Sequence, residues 1–415
     1  MNILIVSQYF WPENFRINDL AVGLVELGNE VTVLTGIPNY PEGRYFAGYD
    51  IFRNTSQEYH GVKVVRVPLF PRGAGGRGRL GLNVLSFIVS GCLFAPLRCR
   101  GKYDLIFVFE PSPVTVALPA LFLKALRQVP VIFWVQDLWP ESLAATGAVT
   151  SRRILDGVAH VVRFIYRRCD RILVPSEAFR ASVEKYSGNP GNVRYFPQSA
   201  EDVFGSIVEK KAMAIFDSIP KGFWLMFAGN IGAAQDFPTI IAAAEKLSAY
   251  RDIHWIIAGD GRMCEWAKAE IVSRGLTHNF HFLGRHPLEA MPQFFSHADA
   301  MLVTLKKEPI FALTVPAKIQ SYLASSRPII AALDGEGAKI IEEAGAGYTC
   351  PTEDADGLSA AVLRMYGTLE PDRERMGLMG RAYYEAHFDK DMLVGKLVCW
   401  MQELVATNKR KKAST

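Results

Sequence analysis

Cysteine is scarce in this chain: it has six among 415 residues, and no two of them stand in a C-x-x-C pair. That spacing favours neither a disulfide framework nor a zinc site. A basic segment is also missing ahead of the short apolar run at the N-terminus. The run therefore predicts a first strand rather than a signal peptide, and we expect a folded cytoplasmic protein.

Glycine is missing where a nicotinamide-dependent oxidoreductase needs it. The residues that follow the first predicted strand are Ser7-Gln-Tyr-Phe-Trp-Pro12. A dinucleotide-binding domain requires G-x-G-x-x-G at this place, because its glycines let the backbone turn and approach the pyrophosphate. The absence argues strongly against a nicotinamide oxidoreductase.

Two glycine turns in the second half of the chain carry the clearest functional signal. Each closes an apolar run and opens a helix, in the segments Phe223–Gly232 and Ile253–Gly261. Each run predicts a buried parallel strand, after which glycine lets the backbone turn and leaves N–H groups pointing outward at the start of the next helix. Such a turn is an anion site, and a phosphate suits it better than a neutral group.

Short strands rich in valine and isoleucine alternate with helix-length segments along the chain. They are residues 1–7, 30–35, 63–67, 104–109, 129–135 and 171–174, then residues 223–228, 254–257, 279–283, 300–305, 328–333 and 347–350. The alternation predicts an α/β protein with parallel sheets covered on both faces, and the length fits two doubly wound domains. We place them at residues 1–199 and 200–386. A C-terminal helix with a basic tail, residues 387–415, is expected to pack on the first domain.

Positive charge is concentrated in the first half, where residues 1–200 contain 22 lysines and arginines against 15 aspartates and glutamates. One basic cluster flanks the apolar run 80–97, and another lies along a helix predicted over 152–169. Their members are Arg72, Arg77, Arg79, Arg98, Arg100 and Lys102 in the first, and Arg152, Arg153, Arg163, Arg167, Arg168 and Arg171 in the second. The apolar run fits either a helix on a bilayer surface or one packed inside the protein. We expect the basic half to face an anionic membrane surface, and we expect no nucleic-acid partner.

Longer motifs resemble a known family. They are the two glycine turns with Phe282–Asp299 and Lys318–Pro328 in the second half, and Tyr9–Leu20, Pro38–Gly43 and Gln136–Glu141 in the first. In this order they resemble family 4 of the GT-B glycosyltransferases, and the first-half motifs are similar to its WbuB-like subgroup, which builds bacterial surface polysaccharides.

This resemblance implies both a fold and a reaction. The fold is two Rossmann-like domains that face each other across a cleft, with a UDP-sugar held mainly by the second. The reaction is transfer with retention of anomeric configuration. The donor sugar would be an N-acetylated hexosamine or its 6-deoxy form, and the acceptor a polyprenyl-diphosphate-linked saccharide at the inner face of the bacterial cytoplasmic membrane.

A glycosyl donor leaves as a diphosphate, so the site must stabilise growing negative charge with N–H donors and a cation. We expect the donors to be Gly229, Asn230 and Gly232, and the catalytic cations to be Lys318 and Arg16. Asn230 could instead cap the following turn, and Lys318 could be a solvated lysine of a first helical turn. Further nucleotide-binding candidates are Gly259, Asp260, Gly261, Arg285, Thr314, Gln320 and Ser321.

Two positions depart from the family pattern. Many members carry a Glu-x7-Glu pair, and the positions that match it here are Leu313 and Ser321. No glutamate can therefore be assigned to the ribose, which leaves Ser321 or Gln320 as a weak substitute. Members often have a lysine shortly after the first glycine turn, where this chain has Ala233-Ala-Gln235. Because that lysine is missing, more of the positive charge at the diphosphate must come from Lys318.

Carboxylates at strand ends mark the candidate sugar and acceptor site of the first domain. Asp137 follows the strand 129–135, where many relatives place a sugar-contacting histidine, and we expect it to be the catalytic carboxylate. Its alternative role is to cap the helix that follows. Gln136, Glu141 and, with lower weight, Glu110 are further sugar or acceptor candidates.

Asp354-Ala-Asp356 matches the D-x-D metal signature of a different glycosyltransferase fold. It stands directly before a predicted helix and is interpreted as an N-terminal cap. We expect neither a catalytic metal nor a cofactor, since the UDP-sugar is a substrate. Two other functions stay open. One is a nucleotide-sugar epimerase, which needs no acceptor, and the other is a catalytically inactive scaffold, which would consume no UDP-sugar.

Overall fold

The computed structural model describes residues 1–73, 76–145, 147 and 149–413, and of Arg77 the backbone alone. The side chain of Arg77, expected in the first basic cluster, thus lies outside what is described. The chain forms two compact units. The first comprises Met1–Pro197 with Lys390–Thr415, and the second comprises Gln198–Asp389.

An eight-stranded sheet forms the centre of the first unit. Its strands are β1 (Asn2–Val6), β2 (Glu30–Gly36), β3 (Ser56–Tyr59), β4 (Val62–Val67), β5 (Leu105–Glu110), β6 (Val131–Val135), β7 (Arg171–Val174) and β8 (Val193–Tyr195). Their order is β3-β4-β2-β1-β5-β6-β7-β8, and β3 alone of these strands is antiparallel to its neighbour. The central strands β5 and β6 are buried along their whole length, and apart from Glu110 at the end of β5 the side chains on both of their faces are apolar.

Helices connect the strands of this sheet. They are α1 (Ile17–Glu26), α2 (Arg77–Arg98), α3 (Ala117–Arg127), α4 (Glu141–Ala145), α5 (Arg152–Tyr166) and α6 (Arg180–Ser187). The direction of the strand order reverses at β1, which lies between β2 and β5. Ligands of open α/β sheets bind beyond the carboxyl ends of the strands at such a switch point.

A six-stranded parallel sheet forms the centre of the second unit. Its strands are β9 (Phe223–Ala228), β10 (Ile253–Ala258), β11 (Phe280–Gly284), β12 (Ala300–Thr304), β13 (Ile329–Ala332) and β14 (Gly347–Cys350), in the order β11-β10-β9-β12-β13-β14. Its helices are α7 (Phe237–Lys246), α8 (Cys264–Ser273), α9 (Met291–Phe295), α10 (Pro309–Leu313), α11 (Ala317–Ala324), α12 (Glu336–Glu343), α13 (Ala355–Tyr366) and α14 (Glu370–His387). The switch point lies between β9 and β12.

The last helix of the chain, α15 (Lys390–Ala413), belongs to the first unit. Its buried residues Leu393, Val394 and Leu397 pack in the same core as α1. A Cβ on Gly23 of α1 would come within 3.2 Å of Val394, so a glycine there lets the two helices approach closely. Hydrogen bonds between Arg171 and α15 add a polar contact to this packing.

Two strands and one helix end differ from the sequence-based prediction. β3 and β8 carry no long apolar run, since β3 is a polar edge strand and β8 has three residues. The predicted helix over 152–169 ends at Tyr166. The apolar run 80–97 forms α2, which was predicted either to lie on a bilayer or to pack inside the protein. By length and composition, its segment Gly78–Arg98 could also cross a membrane.

Candidate functional site

The two glycine turns lie side by side in the second unit. β9 and β10 are paired with Ala228 opposite Ala258, and each strand ends directly before its turn. The Gly229 N–H donates to the Ala258 carbonyl oxygen at 2.8 Å, and the Ile231 N–H donates to the Asp260 carbonyl oxygen at 2.9 Å. The turns are therefore joined backbone to backbone, and the first of them follows β9, which borders the switch point.

Glycine is required where the two turns meet. Gly259 has a φ of +154°, and a Cβ there would lie 1.9 Å from the Gly229 carbonyl oxygen. A Cβ on Gly261 would lie 2.4 Å from the Ile231 carbonyl oxygen and 2.7 Å from the side-chain oxygen of Asn230. No side chain fits at these distances, so both close approaches depend on glycine.

The N–H groups of the turns are not equally available to a ligand. The expectation that the Gly229 N–H binds phosphate is wrong, because that group already donates to the neighbouring strand. The Gly261 N–H donates to the Asp260 carboxylate at 2.7 Å. Within the described residues, nothing accepts a hydrogen bond from the N–H of Asn230 or Gly232. Those two N–H groups can bind an anion.

Lys318 lies against the first of these turns. It stands in the first turn of α11, with its Nζ 3.4 Å from the position that a Gly229 Cβ would occupy. The Nζ donates to the side-chain oxygen of Gln235 at 2.8 Å and lies 3.5 Å from the centre of the Phe227 ring. Removal from water lowers the pKa of Lys318 well below its ordinary value. An anion bound at the turn would favour the charged lysine.

Two residues missed by sequence reasoning complete this region. Gln235 holds the Nζ of Lys318, in the segment where relatives often have a lysine of their own. Glu201 accepts a hydrogen bond from the Ser321 hydroxyl at 2.8 Å. A carboxylate thus stands beside one position of the missing Glu-x7-Glu pair, although it comes from a distant segment of the chain. No spacing of residues in the sequence indicates it.

The other predicted nucleotide-binding side chains of the second unit differ in availability. Gln320 is buried and can donate to two carbonyl oxygens at the start of its own helix, at 3.1 and 3.2 Å. The Thr314 hydroxyl donates to a carbonyl oxygen one turn earlier, at 2.9 Å. The buried Gln320 amide is thus taken up by its own helix, which contradicts its assignment to a nucleotide. The partly exposed Thr314 hydroxyl can still accept a hydrogen bond, so its role stays a prediction. Arg285 is exposed directly after β11, and its role stays a prediction.

In the first unit, Asp137 follows β6 and is partly exposed. Its carboxylate accepts hydrogen bonds from the Trp139 indole N–H at 3.1 Å and from the Ser142 hydroxyl. These bonds stabilise the turn that leads into α4. Asp137 therefore has a structural role at the start of this helix, as in the alternative considered from the sequence. A partly exposed carboxylate at a strand end can also bind a sugar hydroxyl, so the two roles are compatible. Arg16, the other predicted cation, immediately precedes α1.

The remaining carboxylates beside Asp137 are less accessible. Glu110 has no exposed surface, and burial together with the charge of Asp137 raises the pKa of Glu110 well above its ordinary value. Its assignment as a sugar ligand is wrong, because a buried side chain cannot reach a bound sugar. Glu141 accepts from the Ser182 hydroxyl at 2.8 Å, and the N–H of the partly exposed Gln136 donates to Glu110 at 3.3 Å.

The D-x-D segment is a helix cap, as predicted. The Asp354 carboxylate accepts a hydrogen bond from the Gly357 N–H at 2.8 Å, at the start of α13. The second aspartate of the segment, Asp356, forms an ion pair with Lys246 at 2.7 Å. Both carboxylates therefore have structural partners.

Both units match models of glycosyltransferase domains. Residues 14–198 match the glycosyl transferase 4-like domain, and residues 222–368 match the glycosyl transferases group 1. The chain belongs to the GT4-type glycosyltransferases. The resemblance drawn from the sequence motifs is thereby confirmed at the level of the family, and the WbuB-like subgroup stays a prediction.

Two relatives of this glycosyltransferase align over most of its length. The probable glycosyltransferase WbjE of Pseudomonas aeruginosa is 24% identical over 359 residues, which span 82% of this chain and 84% of WbjE. WcaI of Escherichia coli (strain K12), described as a colanic acid biosynthesis glycosyl transferase, is 25% identical over 339 residues, or 78% and 81% of the two chains.

The fold of this glycosyltransferase is that of solved GT-B enzymes. The structure of HepE from Anabaena in complex with UDP matches 97% of this chain and 100% of HepE, with a TM-score of 0.70 and 14% sequence identity. The prediction of an α/β protein with two Rossmann-like GT-B domains is confirmed.

Glu13 joins two of the sequence motifs of the glycosyltransferase. Its Oε1 accepts hydrogen bonds from the N–H groups of Asn39 at 2.8 Å and Tyr40 at 2.7 Å, so the motif Tyr9–Leu20 holds the motif Pro38–Gly43. Removal from water raises the pKa of Glu13 to about 7, although the two N–H groups favour its charged form. Sequence reasoning assigned no role to this residue.

We expect Glu13 to make the enzyme less stable as the pH rises from 4.5, the ordinary glutamate pKa, to about 7. In that range the folded carboxyl keeps a proton that the unfolded chain releases, so a higher pH favours unfolding. Glu13→Gln keeps an oxygen that accepts both hydrogen bonds. It should remove this slope and gain about 3 kcal/mol over wild type above pH 7, at about 1.4 kcal/mol per pKa unit.

The measurement for Glu13→Gln is thermal unfolding across this pH range, followed by a signal from the first unit. Glu42→Gln is the control, because Glu42 is an exposed carboxylate in the segment after β2 that Glu13 holds. The same pH slope in wild type and Glu13→Gln would contradict the role given to Glu13.

Proposed function

We propose that this glycosyltransferase moves a sugar from a UDP-activated donor to a polyprenyl-diphosphate-linked saccharide, with retention of anomeric configuration. The donor sugar is an N-acetylated hexosamine or its 6-deoxy form. The enzyme works at the inner face of the bacterial cytoplasmic membrane, in the assembly of a surface polysaccharide, and needs no metal ion.

The observation that carries the proposal is the pair of joined glycine turns with Lys318 against them. The free N–H groups of Asn230 and Gly232 and the Nζ of Lys318 belong to segments that meet next to the switch point of the second sheet. N–H donors and a cation together are what a diphosphate requires. Ser321 and Glu201 offer a hydroxyl and a carboxylate for the ribose of the nucleotide.

This arrangement also explains how the enzyme would assist departure of UDP. As the bond between the anomeric carbon and the phosphate oxygen breaks, negative charge grows on the diphosphate. N–H groups fixed in position stabilise that charge without having to reorganise. Lys318 adds to the effect, because the growing negative charge favours its protonated form.

The relatives support the class of substrate. WcaI is described as an enzyme of colanic acid biosynthesis, and HepE was solved with UDP. A UDP-sugar donor and a role in polysaccharide assembly for this chain are consistent with both. The basic clusters and exposed apolar residues of the first unit suit an acceptor that is anchored in an anionic membrane.

The test of this function is an assay of UDP release. Purified enzyme is given a panel of UDP-sugars, with and without a saccharide linked to polyprenyl diphosphate. We expect UDP release that depends on the acceptor, and a glycan product whose anomeric configuration matches the donor. Conversion of the donor without an acceptor would identify an epimerase instead, and failure of UDP to raise the unfolding temperature would remove the donor site.

Asp137→Asn is expected to lower the turnover number about ten- to hundredfold while the affinity for UDP stays within about twofold. The amide oxygen can still accept the hydrogen bond from Ser142, while the amide NH₂ replaces the oxygen that accepts from the Trp139 indole N–H. The turn therefore keeps one of its two bonds, and the charge that binds the reacting sugar is lost. Turnover and UDP affinity are measured on the same preparations. Ser142→Ala is the matched control, because it removes the bond in the turn and keeps the carboxylate. An equal loss in both variants would return Asp137 to a purely structural role.

A further inference from the structure

A cavity of about 820 Å³ in the first unit lies next to the ends of β1, β2, β5 and β6, and one of its lining residues, Trp139, donates a hydrogen bond to Asp137. Such a volume is in the range of ligand pockets, roughly 300–1,000 Å³. One wall is the N-terminal half of α2, with Val84, Leu85 and Ile88. Leu143 and Val158 contribute apolar surface from other segments. The cavity is therefore suited to a hydrocarbon ligand.

The cavity has one charged wall residue. Arg72 is the only cation among its described lining residues, and none of them is a carboxylate. The guanidinium lies 5.7 Å from the centre of the Tyr9 ring and 5.1 Å from that of Tyr40, and it donates to the Tyr9 hydroxyl at 3.2 Å. Within the described chain no carboxylate pairs with it. The sequence analysis grouped Arg72 with the basic residues that flank the apolar run 80–97, and the structure places it at this pocket.

The apolar wall of the cavity continues onto the exposed surface of α2. Leu85 lines the cavity and also belongs to a stripe of exposed residues spaced three or four apart, which places them on one face of the helix. The stripe comprises Leu82, Leu85, Val89, Leu93 and Leu97, each between 48% and 62% exposed. Within the described residues nothing covers it. A helix with such a face and basic residues at its ends lies well in a membrane interface.

We propose that this cavity binds the first isoprene units of the polyprenyl diphosphate acceptor, which enter from the bilayer along the exposed stripe of α2. Arg72 contacts the diphosphate, because it is the cation at a pocket that is otherwise apolar. The assignment rests on the proposed function, which supplies the chemistry of the acceptor. It adds a specificity site for the lipid itself, distinct from the residues that contact its sugar.

The experiment measures binding of farnesyl diphosphate, pyrophosphate and farnesol to the full chain, with UDP at saturating concentration so that the donor site is filled. We expect farnesyl diphosphate to bind at least about tenfold more tightly than pyrophosphate, since apolar burial adds to the charge interaction. Arg72→Gln should weaken farnesyl diphosphate about tenfold and leave farnesol unchanged. Equal binding of pyrophosphate and farnesyl diphosphate would overturn the proposal.

Ile88→Trp fills the cavity and should remove the advantage of farnesyl diphosphate over pyrophosphate, while the dissociation constant for UDP stays at the wild-type value. Leu93→Trp adds the same bulk on the exposed stripe, away from the cavity, and should keep the advantage. Wild-type binding of farnesyl diphosphate by Ile88→Trp would overturn the proposal. These experiments measure binding and do not depend on sugar transfer. If the expected binding is found in an enzyme without transferase activity, the proposed function is refuted and the lipid site stands.

Discussion

Lys318→Met is expected to weaken UDP binding about ten- to hundredfold, the effect of losing a charge-assisted hydrogen bond worth roughly 1–3 kcal/mol. The same variant should be at least as stable as wild type when the site is empty. Removal from water lowers the pKa of the lysine in the folded protein, so the unfolded chain binds a proton at neutral pH more readily than the folded chain does. Methionine removes that cost and still packs on Phe227.

Two measurements test Lys318→Met together. Thermal unfolding without ligand should show no loss of stability, and calorimetry should show weaker binding of UDP. Lys339→Met removes an exposed lysine of the same unit and serves as control. Wild-type UDP affinity in Lys318→Met would remove this lysine from the donor site.

Gly259→Ala is expected to have the largest effect of any substitution in the glycine turns. The φ of +154° is nearly closed to alanine, and the new Cβ would lie 1.9 Å from a backbone oxygen of the neighbouring turn. The two turns must separate to admit it. We expect the affinity for UDP to fall at least about a hundredfold, which corresponds to about 2.7 kcal/mol. The unfolding temperature should fall as well.

The matched control for Gly259→Ala is Gly275→Ala in the same unit. Gly275 also has a positive φ, +68°, and nothing lies within 4 Å of the position that its Cβ would take. Alanine at this position must only adopt the left-handed backbone conformation, which destabilises the fold by about 1–2 kcal/mol. Gly275→Ala should therefore lower the unfolding temperature slightly and leave UDP affinity unchanged. Equal UDP affinity in both variants would show that the joined turns do not form the donor site.

The buried parallel strands could be read from the sequence because most side chains along them are apolar. β10 was predicted over 254–257 and spans Ile253–Ala258, in which every residue is buried. β3 could not be predicted in this way. It is an edge strand of four polar or half-exposed residues, and its pairing with β4 is a backbone interaction that leaves no apolar pattern.

The glycine positions of the site could also be predicted, because a close backbone approach leaves no other residue type possible. The two hydrogen-bonded polar pairs of the site could not be predicted. Gln235 and Lys318 are 83 residues apart, and Glu201 and Ser321 are 120 apart. A single hydrogen bond between distant segments imposes no periodicity on either one. The burial of Glu110 contradicts its predicted role as a sugar ligand. The sequence alone gives no reason to place this carboxylate inside the core.

The packing of α15 on α1 has a consequence for the order in which the enzyme can fold during its synthesis. Residues Met1–Pro197 of the first unit are translated before the second unit, but the core of the first unit also includes Leu393, Val394 and Leu397. All residues of the second unit are translated before that helix. The second unit can therefore complete its core while the ribosome is still at work, whereas the outer face of α1 stays open until the final helix emerges.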